Sequence, residues 1–485
     1  MTITMSVLDN SLPLLLIAFG IVLSLFLVAW RRSQHLILLF TLVIFTSALV
    51  ACSKLLFTAP EQVTPLLNID NYSRFAFVLI LLASIAITLL SSIWLHSEIE
   101  VHDEYFILLQ LVVLGAGVLV FSSHFASLFL GFELLSIALI GLVGYSRNAK
   151  YSVESALKYL ILSACASSFM LLGIAFIYSQ IGTLYFLDIG RLTELARQSQ
   201  GDDFFYAAGF LLFIVGIAFK LSLAPFHLWT PDVYQGTPTP VTLLLASVSK
   251  IAIFMVFMRF WFSTAHYNDS HLVTLVSSLA ILSMLVGNVL ALKQQNIKRL
   301  LAYSSVAHMG YLIVVLLVLS TDTIDLAWQS ALFYLSAYVL ATVSLFVVLQ
   351  LTQRLSTKQN EELSLWRGLF WQQRSLAILV IISVLSLAGI PLSMGFIGKF
   401  YLLNFAVQAE LWILIAALVI GSAIALFYYL RVILSLFEPQ NTLQPNLSHN
   451  VGSKVMVNIS LFVLICLSFS LGVYPELLVN SIKGL

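Results

Sequence analysis

Apolar runs of about 20 residues, separated by short polar loops, recur along the whole chain. A run of this length suits a helix that crosses a bilayer, whereas a membrane β-barrel is built from alternating segments of about 10 residues. Apolar residues make up 60% of the sequence and charged residues 9%, against roughly 45–50% and about 25% in a soluble domain. The sequence therefore predicts an all-α polytopic membrane protein and excludes a soluble globular domain.

A hydropathy window of about 19 residues predicts fourteen spans, two of which contain a break. The unbroken spans cover residues 11–30, 34–57, 72–95, 105–121, 124–145, 152–180, 238–262, 270–292, 297–319, 324–353, 410–436 and 453–478. The broken spans cover residues 203–234 and 375–408. Residues 184–198 are too polar to span, and they form either a helix at the membrane interface or an ordinary loop.

The loops on the two sides of the membrane differ in charge. The odd-numbered loops hold thirteen basic residues: Arg31, Arg32, Arg147, Lys150, Lys293, Lys298, Arg299, Arg354, Lys358, Arg367, Arg374, Arg431 and Lys454. The even-numbered loops hold five: Lys54, Arg74, Arg191, Arg197 and Arg259. By the positive-inside rule the odd-numbered loops are cytoplasmic, which places both termini on the periplasmic side. No basic segment precedes the first apolar run, so we expect that run to stay in place as the first helix.

Setting aside these loop cations and Lys483 in the C-terminal tail leaves four lysines assigned to the interior of the predicted spans, Lys158, Lys220, Lys250 and Lys399, and Glu133 is the one acid assigned beside them. Each costs about 2.5–3.5 kcal/mol at the centre of a bilayer when it is unpaired. Lys158 and Lys399 could extend their ammonium groups to the interface, and Glu133 with Lys158 could form a structural ion pair. One acid cannot neutralise four lysines, so the others face water or exchange protons.

Proton exchange is the chemically informative alternative. Burial lowers the pKa of a lysine from about 10.4 toward about 5–6, which allows it to carry protons near neutral pH. His227 and His308 are further candidates because imidazole titrates near neutrality. For each histidine, a structural hydrogen bond is an equally good interpretation. Serines near Lys158 and Lys250 indicate either a wet interior or close helix packing.

Pro225 and Pro391 interrupt the two broken spans. Proline frees backbone carbonyls that hydrocarbon cannot satisfy, so a broken helix is tolerated where it is buried in protein or lines a wet cavity. The sequence LSLA occurs near both prolines, at residues 221–224 and 385–388. The breaks lie five spans apart and indicate two five-helix repeats, inverted because each holds an odd number of spans. The expected segments are residues 1–103 (three helices), 104–262 (first repeat), 263–436 (second, inverted repeat) and 437–485 (C-terminal helix).

Four motifs resemble those of a known family. They are FKLSLAPFHLWTPDVYQGTPTPV at residues 219–241, LFLGFELLSIALIGLVGY at 128–145, NIKRLLAYSSVAHMGY at 296–311 and SLAGIPLSMGFIGKFY at 386–401. They are similar to the antiporter-like, proton-translocating subunits of bacterial respiratory complex I, and the resemblance covers essentially the whole chain. It implies a non-redox subunit of NADH:quinone oxidoreductase in the inner membrane of a bacterial cell.

The resemblance also implies roles for the residues at matching positions. These are Glu133 (the fifth-helix glutamate), Lys158 (its partner lysine), Lys220 (the central lysine of the broken seventh helix), Lys250 (the connecting lysine of the eighth), Lys399 (the exit-side lysine of the broken twelfth), and His227 and His308 (possible relays). The implied mechanism is electrostatic, because pairing of Glu133 with Lys158 changes the proton affinity of Lys220. Lys220 then passes its proton through Lys250 toward Lys399, and quinone reduction elsewhere resets the pair.

The resemblance implies that this chain binds no cofactor and that NADH, FMN, iron–sulfur clusters and quinone belong to partner subunits. The sequence agrees, because it contains no GxGxxG motif and its cysteines lack CxxC spacing. We interpret Cys52, Cys165 and Cys466 as small core residues. The expected partners are other membrane subunits of the complex, including adjacent antiporter-like subunits, and lipid. The formal net charge of +1 argues against nucleic acid.

Two other functions fit the same helices. Multisubunit sodium/proton antiporters share the plan of a broken helix with a lysine, and a scaffold would keep the helices without needing titratable groups. The chain ends soon after the last predicted span, whereas some relatives carry a long lateral C-terminal helix. We therefore expect it to resemble the shorter members of the family.

Overall fold

The computed structural model of the protein describes residues 5–30, 33–58, 61–95, 103–146, 151–198, 204–317, 323–355, 361–439 and 451–484. The loop cations Arg31, Arg32, Arg147, Lys150 and Lys358 of the charge count lie outside these residues. Within them the structure is almost entirely helical, as the apolar runs predict.

The helices are numbered in chain order. They are α1 (Met5–Trp30), α2 (Gln34–Lys54), α3 (Asn71–Leu95), α4 (Glu104–Phe121), α5 (Phe125–Val143), α6 (Ser152–Ile181), α7 (Phe186–Gln198), α8 (Phe204–Leu221), α9 (Trp229–Gly236), α10 (Thr239–Ala246), α11 (Val248–Ser263), α12 (Ser270–Leu292), α13 (Ile297–Ile313), α14 (Ile324–Leu355), α15 (Leu369–Gln372), α16 (Arg374–Ala388), α17 (Met394–Gln408), α18 (Trp412–Phe437), α19 (Val451–Val473) and α20 (Glu476–Lys483). Most of the long helices begin and end within a few residues of a predicted span.

Twelve helical segments of the described chain are long and apolar enough to cross a bilayer, with α10 and α11 counted as one. A thirteenth is obtained when α19 and α20, which meet at a bend of 76°, are taken together. The second broken span consists of α16 and α17, each 15 residues long and each too short to cross alone. Together they form the predicted broken span 375–408 and bring the total in the described residues to fourteen. The polytopic helical fold is therefore confirmed.

Both predicted breaks are present. In the first, α8 ends at Leu221 and α9 begins at Trp229, and Ser222 has a left-handed φ of 60°. In the second, α16 ends in a left-handed cap at Gly389, with φ of 79°. Glycine suits that position because it has no Cβ to clash in this conformation. Each proline lies between the two half-helices, so both helices are interrupted where the sequence predicts.

Residues 184–198, for which the sequence leaves helix and loop open, form helix α7 from Phe186. Gly190 allows this helix to approach α11, because a Cβ added there would lie 2.5 Å from the carbonyl oxygen of Ser263. Phe186 also packs edge-to-face on Phe125, with ring centroids 5.3 Å apart. The helix is therefore docked on its neighbours, while its position at the membrane interface stays a prediction.

A short β-hairpin, which the hydropathy pattern does not predict, lies between α2 and α3. Strands β1 (Glu61–Thr64) and β2 (Leu67–Ile69) pair antiparallel. Arg259 of α11 holds the hairpin by donating to the Asn68 carbonyl at 2.9 Å and by forming an ion pair with Asp70 at 2.6 Å. Hydropathy carries no information on a polar stretch between two spans, which is why the hairpin is not predicted.

The chain divides into two compact units. The first comprises residues 1–276 and 316–324, and the second comprises residues 277–315 and 325–484. In the first unit, α6 and α8 pack closely where two glycines face each other: a Cβ on Gly173 would lie 2.4 Å from the carbonyl oxygen of Gly209. The finer division at residues 103, 262 and 436 stays a prediction.

Two of the three cysteines are not core residues. Cys52 is buried, as expected for a small core residue, whereas Cys165 and Cys466 are exposed on the surface of the chain. Both exposed cysteines lie on membrane helices. The interpretation as core residues is therefore wrong for these two, because apolar runs do not reveal which helix face points inward.

Candidate functional site

The seven residues singled out by the sequence fall into the two units. The first unit holds Glu133 on α5, Lys158 on α6, Lys220 on α8, His227 between α8 and α9, and Lys250 on α11, and the second holds His308 on α13 and Lys399 on α17. The residues Lys220, Lys250 and Lys399 are 2%, 0% and 6% exposed. The Lys158 side chain is 43% exposed. Burial therefore separates three lysines from the fourth and contradicts the interpretation that Lys399 reaches the interface.

Lys220 lies in the last turn of α8, where the helix breaks. Its ammonium donates to the Tyr159 hydroxyl at 2.8 Å and to the Ser163 hydroxyl at 3.0 Å, both on α6. It also lies 4.7 Å from the centroid of the Tyr159 ring. Within the described residues, no carboxylate forms an ion pair with Lys220. A hydroxyl can donate as well as accept, so these partners can serve either a protonated or a neutral amine.

Glu133 is the electrostatic neighbour of this lysine. It follows Phe132, whose ring centroid lies 5.1 Å from the Lys220 ammonium. Glu133 is close enough for a charge on its carboxylate to act on both Lys220 and Tyr159. The Glu133 Oε1 atom is buried and has no hydrogen-bond partner among the described residues. A buried carboxylate oxygen without a partner is costly, which indicates that this position is kept for a purpose other than stability.

The predicted ion pair between Glu133 and Lys158 is not formed. The Lys158 ammonium contacts Glu154, one turn earlier on α6, at 2.7 Å, and Asp232 on α9 at 2.9 Å. Asp232 is a second acid inside a predicted span, whereas Glu133 is the one intramembrane acid predicted from the sequence. Asp232 lies inside the predicted broken span of residues 203–234, and that position is the feature that would have identified it.

Lys250 caps the broken end of α8. Its ammonium donates to the carbonyls of Lys220 at 3.2 Å and Leu221 at 2.7 Å, and to the Ser222 hydroxyl at 2.5 Å. The last carbonyls of a helix have no partner within the helix, and they carry a partial negative charge that favours a cation. Lys250 therefore satisfies two backbone groups that the break exposes.

The other two carbonyls of the last turn of α8 also have partners. The amide of Leu223 donates to the Ala218 carbonyl at 2.8 Å. The Phe219 carbonyl accepts from the Ser222 amide at 3.0 Å and from the Trp229 indole at 2.9 Å. The broken helix is thus fully capped inside the protein, in agreement with the rule that irregular backbone in a membrane must be buried.

His227 lies in the connection between α8 and α9 and is buried. Its carbonyl accepts from the Thr230 amide at 2.9 Å at the start of α9. The structure does not bring its ring into hydrogen-bond contact with Lys220, whose amine is bound to α6. Its role as a relay stays a prediction.

In the second unit, Lys399 caps the other broken helix. Its ammonium donates to the carbonyl of Ala388, the last residue of α16, at 3.0 Å, and to the Ser422 hydroxyl at 3.3 Å. Gly389 leaves room for this side chain, because a Cβ there would lie 2.8 Å from Lys399 Cδ. Each unit therefore places a buried lysine on the C-terminal end of a broken helix.

His308 belongs to a buried network of hydroxyl groups. Its Nδ1 lies 2.6 Å from the Tyr334 hydroxyl, and its Nε2 lies 3.2 Å from the Tyr429 hydroxyl. The Tyr429 hydroxyl lies 2.5 Å from that of Ser304. Because phenols can donate or accept, the network accommodates either imidazole tautomer.

Lys399, His308 and Tyr334 line one small cavity in this unit. The tyrosines of this network are not among the residues predicted from the sequence. Their presence inside apolar spans is a usable feature, since a buried tyrosine hydroxyl usually needs a hydrogen-bond partner. The cavity places a titratable imidazole and a buried amine at the same internal surface.

Comparisons with known proteins agree with this architecture. The profile of a family described as "NADH:quinone oxidoreductase/Mrp antiporter, TM" matches residues 122–425. That range includes all seven candidate residues. A chain of respiratory complex I from Thermus thermophilus, solved with bound aureothin, is 29% identical, with 97% of this chain and 99% of that chain covered and a TM-score of 0.82.

Two further structures share the fold at lower identity. A chain of the membrane-bound sulfane sulfur reductase, an archaeal respiratory membrane complex, is 22% identical with a TM-score of 0.83, covering 98% of this chain and 96% of that one. A chain of the Mrp complex from Dietzia sp. DQ12-45-1b is 19% identical with a TM-score of 0.82, again covering 98% and 96%. The fold is therefore shared by chains of three different membrane complexes.

Proposed function

The chain belongs to the NADH:quinone oxidoreductase/Mrp antiporter family, and from that premise we propose that it is subunit N of a bacterial proton-pumping NADH:quinone oxidoreductase. Its role is to translocate protons across the inner membrane, driven by quinone reduction in partner subunits. The observation that carries the proposal is Lys220, a buried amine held by two neutral hydroxyls at the end of a broken helix. Such a group can lose and regain a proton without losing its hydrogen bonds.

Glu133 controls the charge state of Lys220 in this mechanism. A negative carboxylate nearby favours the protonated amine, and neutralising that carboxylate removes the stabilisation. Glu133 is close enough to Lys220 for its charge to act without a direct ion pair. A change in the ion pairing of Glu133 therefore moves the proton on Lys220, and this step couples the subunit to events in its partners.

Lys250 and Lys399 are the next carriers in the proposed route. A protonated lysine has three donors, whereas a neutral amine has two donors and one lone pair. At Lys250, two N–H groups suffice for the two backbone carbonyls, and the Ser222 hydroxyl can donate to the lone pair. At Lys399, the Ala388 carbonyl and the Ser422 hydroxyl allow the same exchange. Each lysine can thus cap its helix in both charge states.

The proposal assigns the redox chemistry to other subunits. NADH, FMN, iron–sulfur clusters and quinone are held there, and this chain contributes titratable side chains only. Its partners are the other membrane subunits, including adjacent antiporter-like subunits, and lipid. With both termini periplasmic, a reporter enzyme that works only outside the cytoplasm should be active when fused after Leu485, and an inactive fusion would contradict the orientation.

A multisubunit sodium/proton antiporter is the alternative, because the family description names both classes. The 29% identity to a complex I chain, against 19% to the Mrp chain, favours the respiratory complex. The test is purification of the intact assembly in mild detergent through a tag on this chain. We expect a large native mass with flavin and iron–sulfur absorbance. A smaller assembly without either absorbance would support the antiporter instead.

A further inference from the structure

We propose that Asp232 is the alternative ion-pair partner of Lys158 and competes with Glu133 for its ammonium group. The inference rests on the proposed proton-translocating function and deepens it. Lys158 is bound to Asp232 at 2.9 Å, while a buried oxygen of Glu133 has no hydrogen-bond partner among the described residues. In the structure the ammonium is shared between Glu154 on its own helix, at 2.7 Å, and Asp232 beyond the helix break, at 2.9 Å, and this is one of the two arrangements that we propose.

Asp232 is held firmly beside α6. The Ser155 hydroxyl donates to the Asp232 backbone carbonyl at 3.1 Å. Gly236, at the end of α9, lies against the backbone of α6, because a Cβ added there would be 2.7 Å from the Tyr151 carbonyl oxygen. These contacts fix the backbone of Asp232 on the second half of the broken helix, with its carboxylate next to Lys158.

Lys158 is the part that can move. It is 43% exposed, and a lysine ammonium sits on a flexible four-carbon stem. The adjacent Tyr159, together with Ser163, binds Lys220, so Lys158 lies on the same helix as the partners of the proton carrier. A rotation of its side chain from α9 toward α5 would transfer one positive charge from Asp232 to Glu133.

The two arrangements have opposite effects on Lys220. With Lys158 on Asp232, the charge of Glu133 is not compensated by a direct ion pair and favours the protonated form of Lys220. With Lys158 on Glu133, that charge is neutralised and Lys220 releases its proton more readily. Glu154 differs from Asp232, because it lies on α6 itself at i−4 and is 57% exposed. It therefore does not report the position of the half-helix α9.

The test uses the intact complex carrying Asp232→Asn, with the position of Lys158 read from a cryo-electron microscopy map and proton pumping measured in vesicles. We expect the Lys158 ammonium to move into ion-pair contact with Glu133 and the protons pumped per NADH to fall. Asp232→Glu should restore both. Glu438→Gln removes a carboxylate from an exposed ion pair with Arg367, 2.9 Å long, and should change neither. If Asp232→Asn left Lys158 away from Glu133 with normal pumping, the proposal would be wrong.

The cryo-electron microscopy map tests the position of Lys158 independently of the proposed function. Normal pumping by complexes with altered Lys220 would overturn the function whatever Lys158 contacts, whereas the position of Lys158 decides the competition by itself. Should Asp232→Asn prevent assembly, maps of the native complex at rest and during turnover answer the question. Lys158 found on Asp232 in one state and on Glu133 in the other supports the proposal, and Lys158 on Asp232 in every state overturns it.

Discussion

Replacing Lys250 with methionine tests whether this lysine holds the broken helix together. Methionine has a similar length and shape but no donor. The substitution removes the hydrogen bonds from the ammonium to the carbonyls of Lys220 and Leu221. Lys250 is fully buried, so water cannot easily replace it. We expect Lys250→Met to loosen the last turn of α8 while the rest of the unit stays folded.

The size of the effect follows from the two carbonyls. A buried acceptor left without a partner costs about 1–3 kcal/mol, so two of them cost about 2–6 kcal/mol. The lower value corresponds to a roughly 30-fold increase in local opening, because about 1.4 kcal/mol is a factor of ten. A change of this size is large for a single turn of helix.

Hydrogen exchange measures this opening directly. The reporters are the amides of Ser222 and Leu223, which donate to the carbonyls of Phe219 and Ala218. The control is Ser249→Ala. It removes a neighbouring buried hydroxyl that donates to the Leu245 carbonyl, four residues earlier, and not to α8. The control should leave exchange unchanged. If Lys250→Met changed the exchange of this turn by less than about threefold, below the roughly 30-fold expected from two orphaned carbonyls, the capping role would be refuted.

Three other predictions concern α5 and the histidines. Glu133→Gln keeps the shape but removes the charge, so the protons pumped per NADH should fall while the complex still assembles; full pumping would make this acid merely structural. Tyr334→Phe removes a hydrogen bond to His308 Nδ1 that is worth about 0.5–1.5 kcal/mol. It should therefore slow proton translocation roughly 2- to 10-fold in a vesicle assay. An unchanged rate would exclude a relay through this phenol. His124 is the N-cap of α5, and its Nδ1 accepts a hydrogen bond from the Ala126 amide at 3.0 Å. Partial burial lowers the pKa of His124 below its usual 6.5. Only the neutral ring can accept this hydrogen bond. The cap therefore adds about 1 kcal/mol to the free energy of unfolding above pH 6.5, and this contribution is lost as pH falls through the lowered pKa. His124→Asn caps at any pH, so melting curves of this variant should lack that pH dependence, and an equal dependence in both proteins would contradict the assignment.

The spans and the breaks are predictable because their causes are local. An apolar run of about 20 residues can satisfy its backbone in a bilayer only as a helix. Proline inside a helix removes a backbone hydrogen bond and clashes one turn back, and the ends of α8 and α16 lie close to Pro225 and Pro391, whereas α1 continues through Pro13 near its N-terminus. Burial of Lys220 and Lys250 follows in the same way, since a charge in the middle of a span must point into the protein.

The partners of these lysines are not predictable, because they depend on how separate helices face one another. Nothing in the sequence of α11 indicates that Lys250 meets the end of α8, about 30 residues earlier in the chain. The choice of Lys158 between Glu133 and Asp232 depends on the position of α9 after the break. Periodicity gives the face of one helix, but it does not give the pairing of faces between helices.

The central claim is that Lys220 releases and regains a proton during turnover. The most direct test is Lys220→Arg in the purified complex, reconstituted in vesicles, with the protons pumped per NADH oxidised as the readout. Arginine keeps the charge and nearly the length of lysine, but it does not deprotonate in proteins, so a structural cation would tolerate the change and a proton carrier would not. The account predicts assembled complex that pumps fewer protons per NADH than the wild type. A ratio equal to that of the wild type would contradict the carrier role and leave Lys220 as a structural charge.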